Sequence, residues 1–95
     1  MKGEVIKVYT PKRAQGVQVY FPPKHVQYLA MIRRIAKMNQ ASESYVIRQL
    51  LENVLETDEL HLFQKLQGIA VQKETSVSRV ARQLLIQQLK KMKEG

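Results

Sequence analysis

Asp58 and Glu59, with His25 and His61, are the side chains here best suited to acid–base or metal chemistry, and their spacing supports neither. The two acids stand at a helix start, where N-capping explains them. Neither histidine has an acid or a cysteine at ligand spacing, so surface or helix-terminal roles are expected. There is no nucleophile elbow, no Gly-rich phosphate loop and no carboxylate pair suited to a cleft. The expectation is a protein that is not an enzyme and holds no metal or cofactor. What the sequence does offer is positive charge: 16 Lys and Arg against 8 Asp and Glu, a net +8 with pI near 10.0. By segment the excess is +4 over residues 1–24, +1 over 25–56 and +3 over 57–95. Such a balance points to a polyanion, of which nucleic acid is the commonest.

These charges must be placed by local structure. In "GVQVYFPP" (Gly16 to Pro23), Val17, Val19 and Phe21 alternate with Gln18 and Tyr20, a strand with one apolar and one polar face. Pro22 and Pro23 stop it, and proline is tolerated in the first turn of a following helix. A lone strand cannot satisfy its own backbone, so a partner strand is required. "EVIKVY" (4–9) is β-prone and reads as an extra strand or an arm, and "TPKRAQG" (10–16) as a turn or loop exposing Lys12 and Arg13.

From Lys24 the period becomes helical. Val26, Leu29, Ile32, Ile35 and Ala36 form a stripe ending near Asn39. Ser42 is an N-cap with Glu43 in the first turn, and Val46, Ile47, Leu50, Leu51, Val54 and Leu55 make the next apolar face. Thr57 or Asp58 caps a third helix over about residues 59–73, and Ser76 caps a fourth carrying Val77, Val80, Ala81, Leu84, Leu85 and Leu89. Ninety-five residues without cysteine or tryptophan suit one small domain with an aliphatic core, for which oligomerisation is a natural source of additional burial. The N-terminus has no signal-peptide core and no run approaches a membrane span, so a cytoplasmic protein with no membrane association is expected.

Shifted by 34 residues, "IAKMNQASESYVIRQLLENVL" (35–55) falls on "IAVQKETSVSRVARQLLIQQL" (69–89) with ten of 21 positions identical. Ser42/Ser76, Ser44/Ser78 and Arg48/Arg82 are among them. The copy covers a helical hairpin and not the strand, so the chain reads as strand, hairpin, hairpin.

A strand followed by two helices, the second Ser-capped and Leu-rich, resembles the ribbon-helix-helix superfamily of MetJ, Arc and CopG. The resemblance rests on "VQVYF", "IAKMNQASES" and "YVIRQLLENVL" and covers residues 16–56, under half the chain. The turn departs from the family's pattern, with Gln40 or Ala41 where glycine is usual. The resemblance implies a mainly α fold with one strand, in a homodimer whose paired strands enter the DNA major groove. It implies base contacts from Gln18, Tyr20, Gly16 and Arg13, and phosphate contacts from Lys12, Lys24 and the Ser42–Glu43–Ser44 helix start. The division is then an arm over 1–15, the DNA-binding domain over 16–56 and a helical extension over 57–95. Lys73, Ser76, Ser78 and Arg79 are candidates for secondary DNA contact, with the second hairpin extending the dimer interface or linking dimers on DNA. The functional expectation is a sequence-specific transcriptional regulator, a repressor of viral or plasmid type acting in the (host) cytoplasm. An antitoxin or plasmid-partition adaptor of the same fold is the alternative, and a helical interaction scaffold a more distant one.

Overall fold

The computed structural model describes residues 3–10 and 13–94. Alternation makes β1 (Glu4–Thr10) and β2 (Arg13–Phe21), and the two pair antiparallel as the only strands among the described residues. Ile6 lies opposite Val19, Lys7 opposite Gln18 and Val8 opposite Val17, with an irregularity between Tyr9 and Thr10. The strand expected from a second protomer is thus supplied by the same chain. β2 also begins earlier than expected, since Arg13 to Gly16, read as loop, extend the ladder. The reason is the partner: once residues 4–10 are extended alongside, Gly16 and Arg13 pair with Tyr9 and Thr10, and residues 14 and 15 lie in the irregularity between those pairs.

Pro23 opens a single 3₁₀ turn, Pro23–His25, that leads into α1 (Val26–Met38). Then follow α2 (Glu43–Leu55), α3 (Leu62–Gln72) and α4 (Val77–Glu94). The protein is mostly helical, with a two-stranded antiparallel sheet at its N-terminal end. α3 starts later than its apolar pattern suggests because Asp58 organises a turn first. Its backbone carbonyl accepts from the His61 and Leu62 N–H groups, and its Oδ1 from the His61 N–H at 3.0 Å.

The turns between helices recur 34 residues apart. The Ala41 N–H donates to the Ala36 carbonyl at 2.9 Å and the Gln40 N–H to that of Lys37 at 3.3 Å. The matching bonds are Thr75 to Ala70 at 2.9 Å and Glu74 to Val71 at 3.2 Å. Each is a Schellman closure, which needs a left-handed residue at its apex. Gln40 (φ 52°) and Glu74 (φ 54°) supply it where glycine would be unstrained. Both following helices are capped alike: Ser42 Oγ accepts from the Tyr45 N–H and Ser76 Oγ from the Arg79 N–H, each at 3.1 Å.

A single core joins all elements. Ile6, Val8, Val17, Val19 and Phe21 close one side of it, and Leu29, Ile32, Ile47, Leu51, Leu66, Leu85 and Leu89 fill it. α2 packs on β1 and on α4, and α4 packs on β2. The second hairpin therefore completes the core beneath the ribbon within one chain. Burying Phe21 alone is worth about 1.5–3 kcal/mol, and no charged residue is buried among the described ones. No helix of the described residues is long and apolar enough to cross a membrane.

Candidate nucleic-acid interface

The pleat that buries Ile6, Val8, Val17, Val19 and Phe21 turns the alternate residues outward. Val5, Lys7, Gly16, Gln18 and Tyr20 are exposed on one face, with Val5 opposite Tyr20 and Lys7 opposite Gln18. A large apolar side chain held 53% open, as Val5 is, and a tyrosine held 42% open make this an apolar-and-polar surface around a central cation. Gly3 lies close under the Phe21 carbonyl and the Tyr20 ring, where a Cβ would sit 2.3 Å from that oxygen, so glycine lets the chain pass.

The ribbon's edges are held by the two Ser-capped helices. Lys7 and Gln18 face each other with their carbonyls turned away from the partner strand, toward α2 and α4. The Ser44 hydroxyl donates to the Lys7 carbonyl and the Ser78 hydroxyl to the Gln18 carbonyl. These bonds bring the first turns of α2 and α4 to opposite edges of the ribbon. Helix geometry leaves first-turn N–H groups without intrahelical partners there, and the helix dipole makes that end positive. On the β2 edge, Arg82 Nη1 also donates to the Tyr20 carbonyl at 3.3 Å.

Electrostatics differ between the edges. Glu43, in the first turn of α2, is turned toward Arg33 of α1, whose Nε donates to its Oε1 at 2.5 Å. The same guanidinium pairs with Glu4 of β1, with Nη1 to Oε1 at 3.3 Å. The hydrogen bond to Glu4, then that to Glu43, raises the Arg33 pKa further above its ordinary value. Because Arg33 and both carboxylates are well exposed, each pair stabilises by about 0–1 kcal/mol. Their effect is directional: the negative charge at the start of α2 is held aside and partly offset by a guanidinium it shares with Glu4. The first turn of α4 contains no acid.

Of the residues expected at bases, Gly16, Gln18 and Tyr20 share the outer face. Arg13 stands in β2 opposite Thr10, and Lys12 lies outside the described residues. Lys24 is exposed in the 3₁₀ turn. Ser42 caps α2 and is exposed, whereas the hydroxyls of Ser44 and Ser78 are used to hold the strands. Lys73, Ser76 and Arg79 are exposed around the start of α4. Lys7, Val5 and Arg82 were not anticipated. A second repeat contains the signal for the first two: Val8-Tyr9-Thr10-Pro11 matches Val19-Tyr20-Phe21-Pro22 at a spacing of 11, with three of four residues identical.

Elsewhere, a shallow groove of about 760 Å³ at the α2–α3 junction is lined by Glu52, Asp58, His61 and Lys65 among others. Two of its acids lie beside basic groups. Asp58 Oδ1 lies 2.7 Å from His61 Nδ1, so His61 does have an acid three residues away, while it stands exposed at the start of α3, a helix-terminal histidine as expected. The His61 side chain holds the Asp58 pKa below its usual value. Glu52 sits 3.4 Å from Arg48 at poor hydrogen-bond angles, and burial pushes its pKa up despite that cation. No protein-family model matches this chain, and no curated protein matches it in sequence.

Proposed function

We propose that the protein is a sequence-specific double-stranded DNA-binding regulator of ribbon-helix-helix type that lays its two-stranded ribbon in the major groove. One observation carries the reading: an antiparallel ribbon presents Lys7, Gln18 and Tyr20 outward between two Ser-capped helix starts. The major groove is about 12 Å wide and admits a two-stranded ribbon. Gln18 can bond both N6 and N7 of adenine, Lys7 can donate to O6 and N7 of guanine, and Tyr20 and Val5 can touch thymine methyl groups. The helix starts at Ser42 and Ser76 would then meet phosphates on either side, fixing register without reading sequence. Lys24, Lys73 and Arg79 add sequence-independent attraction, as does the net charge of +8.

Repression by occupying a promoter, in the cytoplasm, is the simplest regulatory outcome of such binding. The antitoxin alternative is less well supported, because residues 62–94 contribute Leu62, Leu66, Leu85 and Leu89 to the core beneath the ribbon and are not free to act as a toxin-binding tail.

Selection of binding sequences from a random duplex pool, followed by titration of wild type and Gln18→Ala, tests the reading. Gln18→Ala is expected to relax specificity at one position by about 1–3 kcal/mol while leaving non-specific binding intact. Equal preference for selected and random duplexes in the wild type contradicts it.

A further inference from the structure

We infer that one copy of this chain is the complete DNA-reading unit and that its site has two unequal halves. The inference rests on the ribbon reading above and deepens it. The register places Lys7 opposite Gln18. A two-fold axis through that pair, normal to the ribbon, superposes Val5 on Gly16, Ile6 on Val17, Val8 on Val19 and Tyr9 on Tyr20. The same operation matches the Ser44 bond to the Lys7 carbonyl with the Ser78 bond to the Gln18 carbonyl. One chain thus supplies both strands, both edge-holding helices and the whole core beneath them.

A second copy cannot lengthen the ribbon without breaking bonds already made. The outward carbonyls of Lys7, Gln18 and Tyr20 are taken by Ser44, Ser78 and Arg82. An exposed strand edge is what invites another chain, and on both edges the carbonyls nearest the axis are already occupied.

In a homodimer, symmetry forces related positions to be the same residue, so the two half-sites must match. Here the axis-related inner positions keep their character, as Ile6 with Val17 and Val8 with Val19. Of the outer ones, Tyr9 and Tyr20 are the same residue, but the two pairs nearest the axis differ: Lys7 stands where Gln18 does, and Val5 where Gly16 does. Lysine donates only, which suits the two acceptors of guanine. Glutamine donates and accepts, which suits adenine. The centre of the site is therefore expected to place a G·C pair under Lys7 and an A·T pair under Gln18, with no palindrome across them.

The experiment is sequence selection with wild type, Lys7→Gln and Gln18→Lys, and native mass spectrometry of each complex on its selected duplex. Both side chains are exposed, and circular dichroism verifies the fold of each variant. The wild type should form a one-to-one complex on a non-palindromic site. Two symmetrised duplexes, each repeating one half, should bind at least about tenfold more weakly, the size of one lost base contact. Lys7→Gln should shift the selected centre toward adenine on both sides, and Gln18→Lys toward guanine on both sides. Two-to-one complexes on a palindrome, with Gln18→Lys still altering base preference, overturn the single-chain inference and leave the ribbon reading standing. Selected sites unchanged in both variants overturn the ribbon reading itself.

Discussion

At the β1 edge of the ribbon, Ser44 holds the Lys7 carbonyl and Glu43 is paired with Arg33; at the β2 edge, Ser78 holds the Gln18 carbonyl beside Arg82, and the start of α4 has no acid. The bonds that position the helices recur at a spacing of 34, down to the capping distance of 3.1 Å. The charges around them have diverged: Glu43 corresponds to Val77, Tyr45 to Arg79, and Arg33 to Gln67. Packing tolerates little change at a close-packed position, whereas an exposed charge is nearly free to vary in stability terms. Shared packing with unequal charge is what a folded scaffold with two separately adjusted edges should look like.

The largest test of the shared packing is in the core. Leu51→Ala and Leu85→Ala, 1% and 0% exposed at corresponding positions, should each destabilise by about 2–5 kcal/mol in urea titration. A loss confined to one of them would break the equivalence of the two halves.

The edge bonds come next. Ser44→Ala and Ser78→Ala should each lower stability by about 1 kcal/mol, the net worth of one hydrogen bond, and the double variant should lose the sum because the sites lie on opposite edges. Thermal melts of the three variants measure it, and a neutral Ser78→Ala would show that α4 is held to β2 by its apolar face and Arg82 without help from Ser78.

The charge difference is tested on DNA and not on stability. Arg79→Ala should weaken binding to all duplexes and reduce the slope of log affinity against log salt by about 1. Glu43→Gln should raise affinity only slightly, since Arg33, though shared with Glu4, already holds that carboxylate aside and offsets part of its charge. A large gain from Glu43→Gln would mean that the ion pair fails to shield the α2 edge.

Smaller effects are expected at the turns and at His25. Gln40→Gly and Glu74→Gly remove a left-handed non-glycine residue and should each stabilise by roughly 0.5–1 kcal/mol, less the entropy that glycine adds to the unfolded chain. His25, the last residue of the 3₁₀ turn, has its pKa lowered from 6.5 by burial and then by Lys24, Arg82 and Lys90. The native state binds fewer protons than the unfolded one in that range, so stability should be full above pH 6.5 and fall as pH drops below it. His25→Gln should flatten that slope in denaturant titrations at pH 5 and 7.5.

Much of this architecture is legible in the residues. The alternation of Val17, Val19 and Phe21 places the core face of β2, Ser42 and Ser76 mark two helix starts, and the 34-residue repeat ties the hairpins together. The source of the second strand is not legible in the same way, because residues 4–9 have an apolar face of only Ile6 and Val8, too short a pattern to separate a strand from an arm. Their role follows from long-range pairing, which the spacing-11 repeat signals only once the partner strand is sought. The start of α3 is missed for a local reason: Asp58 spends its side chain and carbonyl on a turn that competes with the apolar period. Ser44 and Ser78 look like phosphate ligands in sequence because both stand in a capped first turn, and only the packed fold reveals the strand carbonyls they reach.

The central claim, that the outer face of the ribbon lies in the major groove, is tested most directly by dimethyl sulfate interference on the selected duplex. The reagent methylates guanine at N7, in the major groove, and adenine at N3, in the minor groove. Interference should come from N7-methylguanine at the pair read by Lys7, with N3-methyladenine tolerated throughout the site. Interference from N3-methyladenine alone would place the protein in the other groove and contradict the account.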